Sequence, residues 1–88
     1  MEVKTFTNQE LAIEAHRPWV KSYLLEDSIL RRVFTFHEAT VCRILYNDGE
    51  SLYAYKGIND LIWHIANEKD YQLMVETYRM RGRRYGAQ

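Results

Sequence analysis

The sequence predicts an α+β domain: a small three-stranded antiparallel meander packed with an N-terminal helical segment and two C-terminal helices. Three observations carry that expectation. A helix-start signal lies at Thr7 and Glu10, a stretch rich in β-branched and aromatic residues containing Asp48-Gly49 fills the middle, and an apolar stripe at helical spacing follows Asp70.

Thr7 followed three residues later by Glu10 makes a capping box, in which the hydroxyl accepts from the N–H of Glu10 and the carboxylate reaches back to the N–H of Thr7. A helix is expected from Asn8, with Leu11, Ala12, Ala15 and Trp19 on its apolar side. Pro18 has no amide donor and would clash with the carbonyl of Glu14, so a break is expected at Arg17. Pro18 could then open a second helical stretch carrying Trp19, Val20, Tyr23 and Leu24, ending by Glu26-Asp27.

Strands are expected at Val33–Phe36, Thr40–Tyr46 and Leu52–Tyr55, the first two flanking a tight turn at His37-Glu38. Asp48-Gly49 reads as a two-residue type I′ turn, because glycine tolerates the positive φ such turns demand. That turn would set Ile44 opposite Tyr53 and Cys42 opposite Tyr55, gathering Cys42, Ile44, Tyr46, Tyr53 and Tyr55 on one face. The expected turn at His37-Glu38 would in turn set Arg32 opposite Arg43, an unfavourable like-charge pair. Asn59 is a good N-cap for a helix carrying Leu61, Ile62 and Ile65. Asp70 is expected to cap the last helix, where Tyr71, Met74, Val75 and Tyr78 fall at i, i+3, i+4 and i+7. Gly82 should end it, giving a single globular domain over 1–82 and a mobile basic tail over 83–88.

The chain has 88 residues, of which 47% are hydrophobic and 27% charged. That is enough for one core and too apolar for a disordered chain. Its single cysteine, Cys42, rules out an internal disulfide. No apolar run approaches the ~20 residues of a membrane span, and the N-terminus lacks the layout of a signal peptide. A cytoplasmic protein with no membrane partner is therefore expected. Residues 1–76 carry a balance of −4 and residues 77–88 one of +4, so an acidic body ends in a basic tail.

Little in the chain points to catalysis. His16, His37 and His64 are scattered away from any nucleophile motif, and the four glycines never form a phosphate-binding loop. Cys42, flanked by apolar residues, reads as a small packing group. His64 and Glu68 at i and i+4 are half a metal site if both lie on one helix, as Glu10 and Glu14 are another. No enzyme, cofactor or metal is expected, and no motif assigns the chain to a family.

Two binding readings remain. The first is a non-catalytic protein-binding module of the inhibitor or adaptor type, acting on another protein, or on itself as a homodimer, through an aromatic sheet face of Ile44, Tyr46, Tyr53 and Tyr55. Tyrosine suits this role because it joins a large contact area to a polar hydroxyl. The alternative is RNA or single-stranded nucleic acid held by Arg79, Arg81, Arg83, Arg84 and Tyr85, with guanidinium groups on phosphates and rings on bases. Against it stands the acidic body, since nucleic-acid binders usually carry a basic face on the folded domain.

Overall fold

The computed structural model describes the backbone of residues 5–32 and 35–86 and the side chains of residues 5–30 and 35–80. Its elements in chain order are β1 (Thr5–Thr7), α1 (Asn8–Ala15), β2 (Val20–Arg32), β3 (Thr35–Tyr46), β4 (Ser51–Gly57), β5 (Ile62–Ala66) and α2 (Glu68–Gly86). The α+β class and the antiparallel sheet are as expected. The element count is not: among the described residues the sheet has five strands, in the order β1-β5-β4-β3-β2, and one C-terminal helix instead of two.

The capping box forms as the sequence predicts. The Thr7 N–H donates to Glu10 Oε1 at 3.0 Å, and the Glu10 N–H donates to Thr7 Oγ1 at 3.1 Å. Immediately before it, Thr5–Thr7 pairs with β5, so the residue that caps the helix also ends a strand. The helical stretch expected after Pro18 is instead a strand. Pro18 occupies the second position of a turn closed by the Val20 N–H donating to Arg17 O at 3.0 Å, a place where its fixed φ is an advantage. The turn delivers Val20 into pairing with Tyr46, and the ladder with β3 overrides the weak helical spacing of Trp19, Val20, Tyr23 and Leu24.

β3 runs unbroken through His37 and Glu38, which pair with Leu30 and Ile29, so the tight turn expected there is absent. The β2–β3 connection passes through Val33 and Phe34, which lie outside the described residues. Leu24, not Arg32, stands opposite Arg43, and the expected like-charge clash disappears.

The second hairpin corrects the expected register by one residue. The Tyr46 N–H donates to Glu50 O at 2.9 Å, the Gly49 N–H donates to Tyr46 O at 3.1 Å, and Gly49 has φ +90°. These bonds define a three-residue loop, Asn47-Asp48-Gly49, with a type I turn followed by a left-handed glycine. Arg43 therefore faces Tyr53, and Ile44 faces Leu52. Because side chains alternate with period two, one extra loop residue moves the side chains of β4 to the opposite face relative to β3.

The helix expected after Asn59 is also a strand. The Asp60 carboxylate accepts from the Gly57 N–H at 3.1 Å and the Asp60 N–H donates to Gly57 O at 3.0 Å, closing a turn that feeds Ile62–Ala66 back along β4. Asn67, not Asp70, caps α2, its Oδ1 accepting from the Asp70 N–H at 2.8 Å. The helix passes Gly82 and continues to Gly86. One interior glycine costs a helix only about 1 kcal/mol, too little to force a stop.

A helix packs on each face, giving two half-cores. On one side Leu11 and Ala15 of α1 meet Cys42, Ile44, Ala54 and Trp63. On the other, Tyr71, Met74 and Val75 of α2 meet Val41, with Tyr53, Tyr55 and Ala66 against them. The apolar residues on both faces of β3 are thus explained: Val41 is buried on the α2 side and Cys42 and Ile44 on the α1 side, while Arg43 stays exposed.

Candidate interaction edge

The register distributes the expected tyrosine face over both sides of the sheet. Ile44 is fully buried beneath α1, and Tyr46 lies on the same side, its hydroxyl donating to Glu14 Oε1 at 2.8 Å. Tyr53 and Tyr55 lie on the α2 side. The Tyr53 ring is 4.8 Å from that of Tyr71 and 6.0 Å from the Arg43 guanidinium, while Tyr55 stands 5.4 Å from the His64 ring. These side chains are half-buried packing partners of the two helices, and they do not form one surface. Of the arginine set, Arg79 is engaged with Glu26 at 3.3 Å; the side chains of Arg81, Arg83, Arg84 and Tyr85 lie outside the described residues.

The half-sites for metal are likewise separated. His64 belongs to β5 and Glu68 to α2, so the expected i, i+4 pairing on one helix does not arise. Among the described residues no group of three His, Cys, Asp or Glu side chains could hold a metal ion. Cys42 is 2% exposed, and burial pushes its thiol up to about 11, which keeps it protonated at neutral pH. Nor is any described helix long and apolar enough to cross a membrane.

What the fold does present is the outer edge of β2. This 13-residue strand ends the sheet, with β3 as its neighbour on one side and no strand on the other among the described residues. Tyr23, Leu24 and Leu25 are exposed to 49, 50 and 54%. Because they are consecutive, they project to both faces, and each face has its own groove. On the α2 side, Leu24, Arg43, Val75, Arg79 and Met80 line a groove of about 580 Å³. On the α1 side, Leu11, Ala15, His16, Tyr23, Leu25 and Cys42 line an apolar one of about 210 Å³, with the Tyr23 and His16 rings 5.5 Å apart.

The edge is held firmly. The Tyr71 hydroxyl donates to Glu26 Oε2 at 2.8 Å, and Arg79 contacts the other oxygen, so one β2 carboxylate fastens α2 across the strand. Burial, and then the hydrogen bond to Glu26, pushes the Tyr71 phenol up to about 12. At the other end, a register shift between Val20 and Ser22 places Lys21 at a bulge, and the Asn47 N–H donates to Trp19 O at 2.9 Å. Between these anchors the ladder with β3 runs without a further register shift from Ser22 onward.

Sequence reasoning missed this edge because it assigned residues 18–26 to a helix. A signal was available: Trp19 through Phe36 contains no glycine, proline or asparagine, and three β-branched or aromatic residues in its first seven (Trp19, Val20 and Tyr23) suit a strand as well as a helix. Comparison with family models, with curated proteins and with solved structures returns no match for this chain.

Proposed function

We propose that this chain is a non-catalytic protein-binding module, of the inhibitor or adaptor type, that takes an extended segment of its partner as an additional strand along β2. The observation supporting this most directly is the run Tyr23-Leu24-Leu25, half-exposed on the last strand of the sheet. Edge strands are ordinarily protected by being short, charged or covered, since their free N–H and C=O groups template pairing with other chains. This one is long, and between Lys21 and Glu26 it carries the run Tyr23-Leu24-Leu25, apolar on both faces. A strand laid against it would gain main-chain hydrogen bonds from the edge and place alternate side chains into the α1-side and α2-side grooves.

The test is selection of linear peptides from a random library on the folded chain, followed by binding to Leu24→Lys and Leu25→Lys variants. Both positions are half-exposed, so the variants should retain the wild-type circular dichroism spectrum and melting temperature. Selected peptides should alternate apolar with polar residues and lose at least roughly tenfold in affinity on either substitution, about 1.4 kcal/mol. Peptides indifferent to both substitutions would sink the reading. So would a preference for single-stranded RNA with a salt slope near −3 on logarithmic axes, the value about four phosphate contacts imply.

A further inference from the structure

We infer that the strand taken up along β2 is the β2 of a second copy of this chain, running antiparallel about a two-fold axis through Leu24; this rests on the strand-addition reading above. Register and charge fix the position of the axis. In an antiparallel ladder alternate residues direct their N–H and C=O groups outward, so a symmetric pairing must set residues of like parity opposite each other. The axis then passes through a residue, and the exposed stretch offers few choices.

An axis at Glu26 or Asp27 sets a carboxylate directly against its own copy, which is unfavourable. With the axis at Tyr23, Lys21 would face the partner's Leu25. With it at Leu25, Lys21 would face the partner's Ile29, and Leu24 the partner's Glu26. Only the axis at Leu24 matches like with like and charge with countercharge. Leu24 meets the partner's Leu24, Tyr23 meets the partner's Leu25 twice over, and Ser22 meets the partner's Glu26. Lys21 then stands opposite the partner's Asp27 at both ends of the five-residue core. The bulge at Lys21 limits the regular ladder to Ser22–Glu26 of each copy, so the two ion pairs bracket it.

The surroundings of the strand agree with this placement. Leu24 shares its groove with Met80, which is 61% exposed, and the two-fold would bring both residues close to their copies on the α2 side, within a groove that Glu26, Arg43, Glu76 and Arg79 otherwise make polar. On the opposite side Tyr23 and Leu25 would extend the apolar groove of α1 across the axis. Glu26 keeps its contacts to Tyr71 and Arg79, because Ser22 asks of it no more than a hydrogen bond. Two five-stranded sheets would then become one continuous sheet of ten, with β1 at each outer end.

Sedimentation equilibrium of the full chain over low to high micromolar concentrations tests the inference, with circular dichroism and melting curves confirming that each variant folds. The wild type should be a concentration-dependent dimer. Lys21→Asp and Asp27→Lys should each raise the dimer dissociation constant by about tenfold, because attraction at two sites becomes repulsion. The double variant Lys21→Asp with Asp27→Lys should recover to within about threefold of wild type, and Leu24→Lys, which sets two ammonium groups at the axis, should leave only monomer.

A wild-type monomer at every concentration overturns the inference. If that monomer still captures peptides in a manner sensitive to Leu25→Lys, strand addition stands and only the identity of its occupant falls. A dimer that ignores Leu24→Lys overturns both, and one that responds to Leu24→Lys but is not rescued by the double swap overturns the proposed register.

Discussion

β2 and β3 lie side by side, 13 and 12 residues long, and their middles are built from similar side chains, Tyr23-Leu24-Leu25 in one and Val41-Cys42 with Ile44 in the other. Their environments differ completely. Val41, Cys42 and Ile44 are exposed to 0, 2 and 0%, whereas the three β2 residues stand near one half. β3 has a strand on each side and buried side chains on both faces; β2 has β3 on one side and, among the described residues, no strand on the other, while α2 packs against its inner face. Apolar composition gives both strands the same affinity for a dry environment, and only one of them has been supplied with it. A central strand places its apolar residues in the core, while an edge strand leaves part of its apolar run at the surface, where such runs can template association.

The sharpest way to break this comparison is to truncate one residue in each strand. Ile44→Ala removes a fully buried side chain between Leu52 and α1 and should cost about 2–5 kcal/mol. Leu25→Ala removes one that is half in water and should cost under about 1.5 kcal/mol in the monomer. Chemical denaturation at low protein concentration measures both, and equal losses would mean that the β2 edge is as dry as the centre.

The two tyrosine clamps sharpen it further. Tyr46, on the central strand, donates to Glu14 of α1, and Tyr71, from α2, donates to Glu26 of the edge strand. Burial first, and then the carboxylate partner, pushes both phenols up to about 12. A phenol held above its ordinary value near 10 favours the folded state fully below pH 10, and that contribution is lost as pH rises from about 10 through 12. Stability should therefore fall across that window, with Tyr46 and Tyr71 ionising late in a tyrosinate absorbance titration. Tyr71→Phe should cost about 1 kcal/mol at neutral pH and make the alkaline fall shallower. Ionisation of both phenols near pH 10 in the folded protein would contradict the clamps.

The smallest expected effect lies inside β2 itself. Ser28 is 1% exposed and its hydroxyl has no hydrogen-bond partner among the described residues. Ser28→Ala should be neutral or stabilising by up to about 1 kcal/mol in a thermal melt, since it removes a buried polar group without breaking a bond. A loss greater than that would show the hydroxyl to be satisfied in solution.

Local chemistry made several elements legible in advance. The capping box needs only Thr7 and Glu10 three residues apart, and the α2 stripe is buried as expected at Tyr71, Met74 and Val75, though its fourth member, Tyr78, is 39% exposed. Residues 20–26 and 62–66 were not legible, because short apolar runs satisfy helical and strand patterns alike and the neighbour decides between them. The candidate site suffered most. Ile44, Tyr46, Tyr53 and Tyr55 were grouped on one face by a two-residue turn, and the three-residue loop ending at Gly49 distributes them over two. The Asp-Gly signal marks a hairpin reliably and its loop length less so, yet loop length sets which face every side chain takes.

By itself the sequence determined that this chain is a small α+β domain without an internal disulfide, where its first helix begins, which face of its last helix is apolar, and that a hairpin turns at Asp48-Gly49. Those properties depend on residues a few positions apart, whose interactions are the same in any surrounding. The tertiary structure decided that, among the described residues, the sheet has five strands, that each face carries a helix, and that β2 stands at the edge with Tyr23, Leu24 and Leu25 about half exposed. Strand order and burial arise from pairings between segments distant in the chain, and a leucine has the same pattern in sequence whether a neighbour covers it or a partner has yet to.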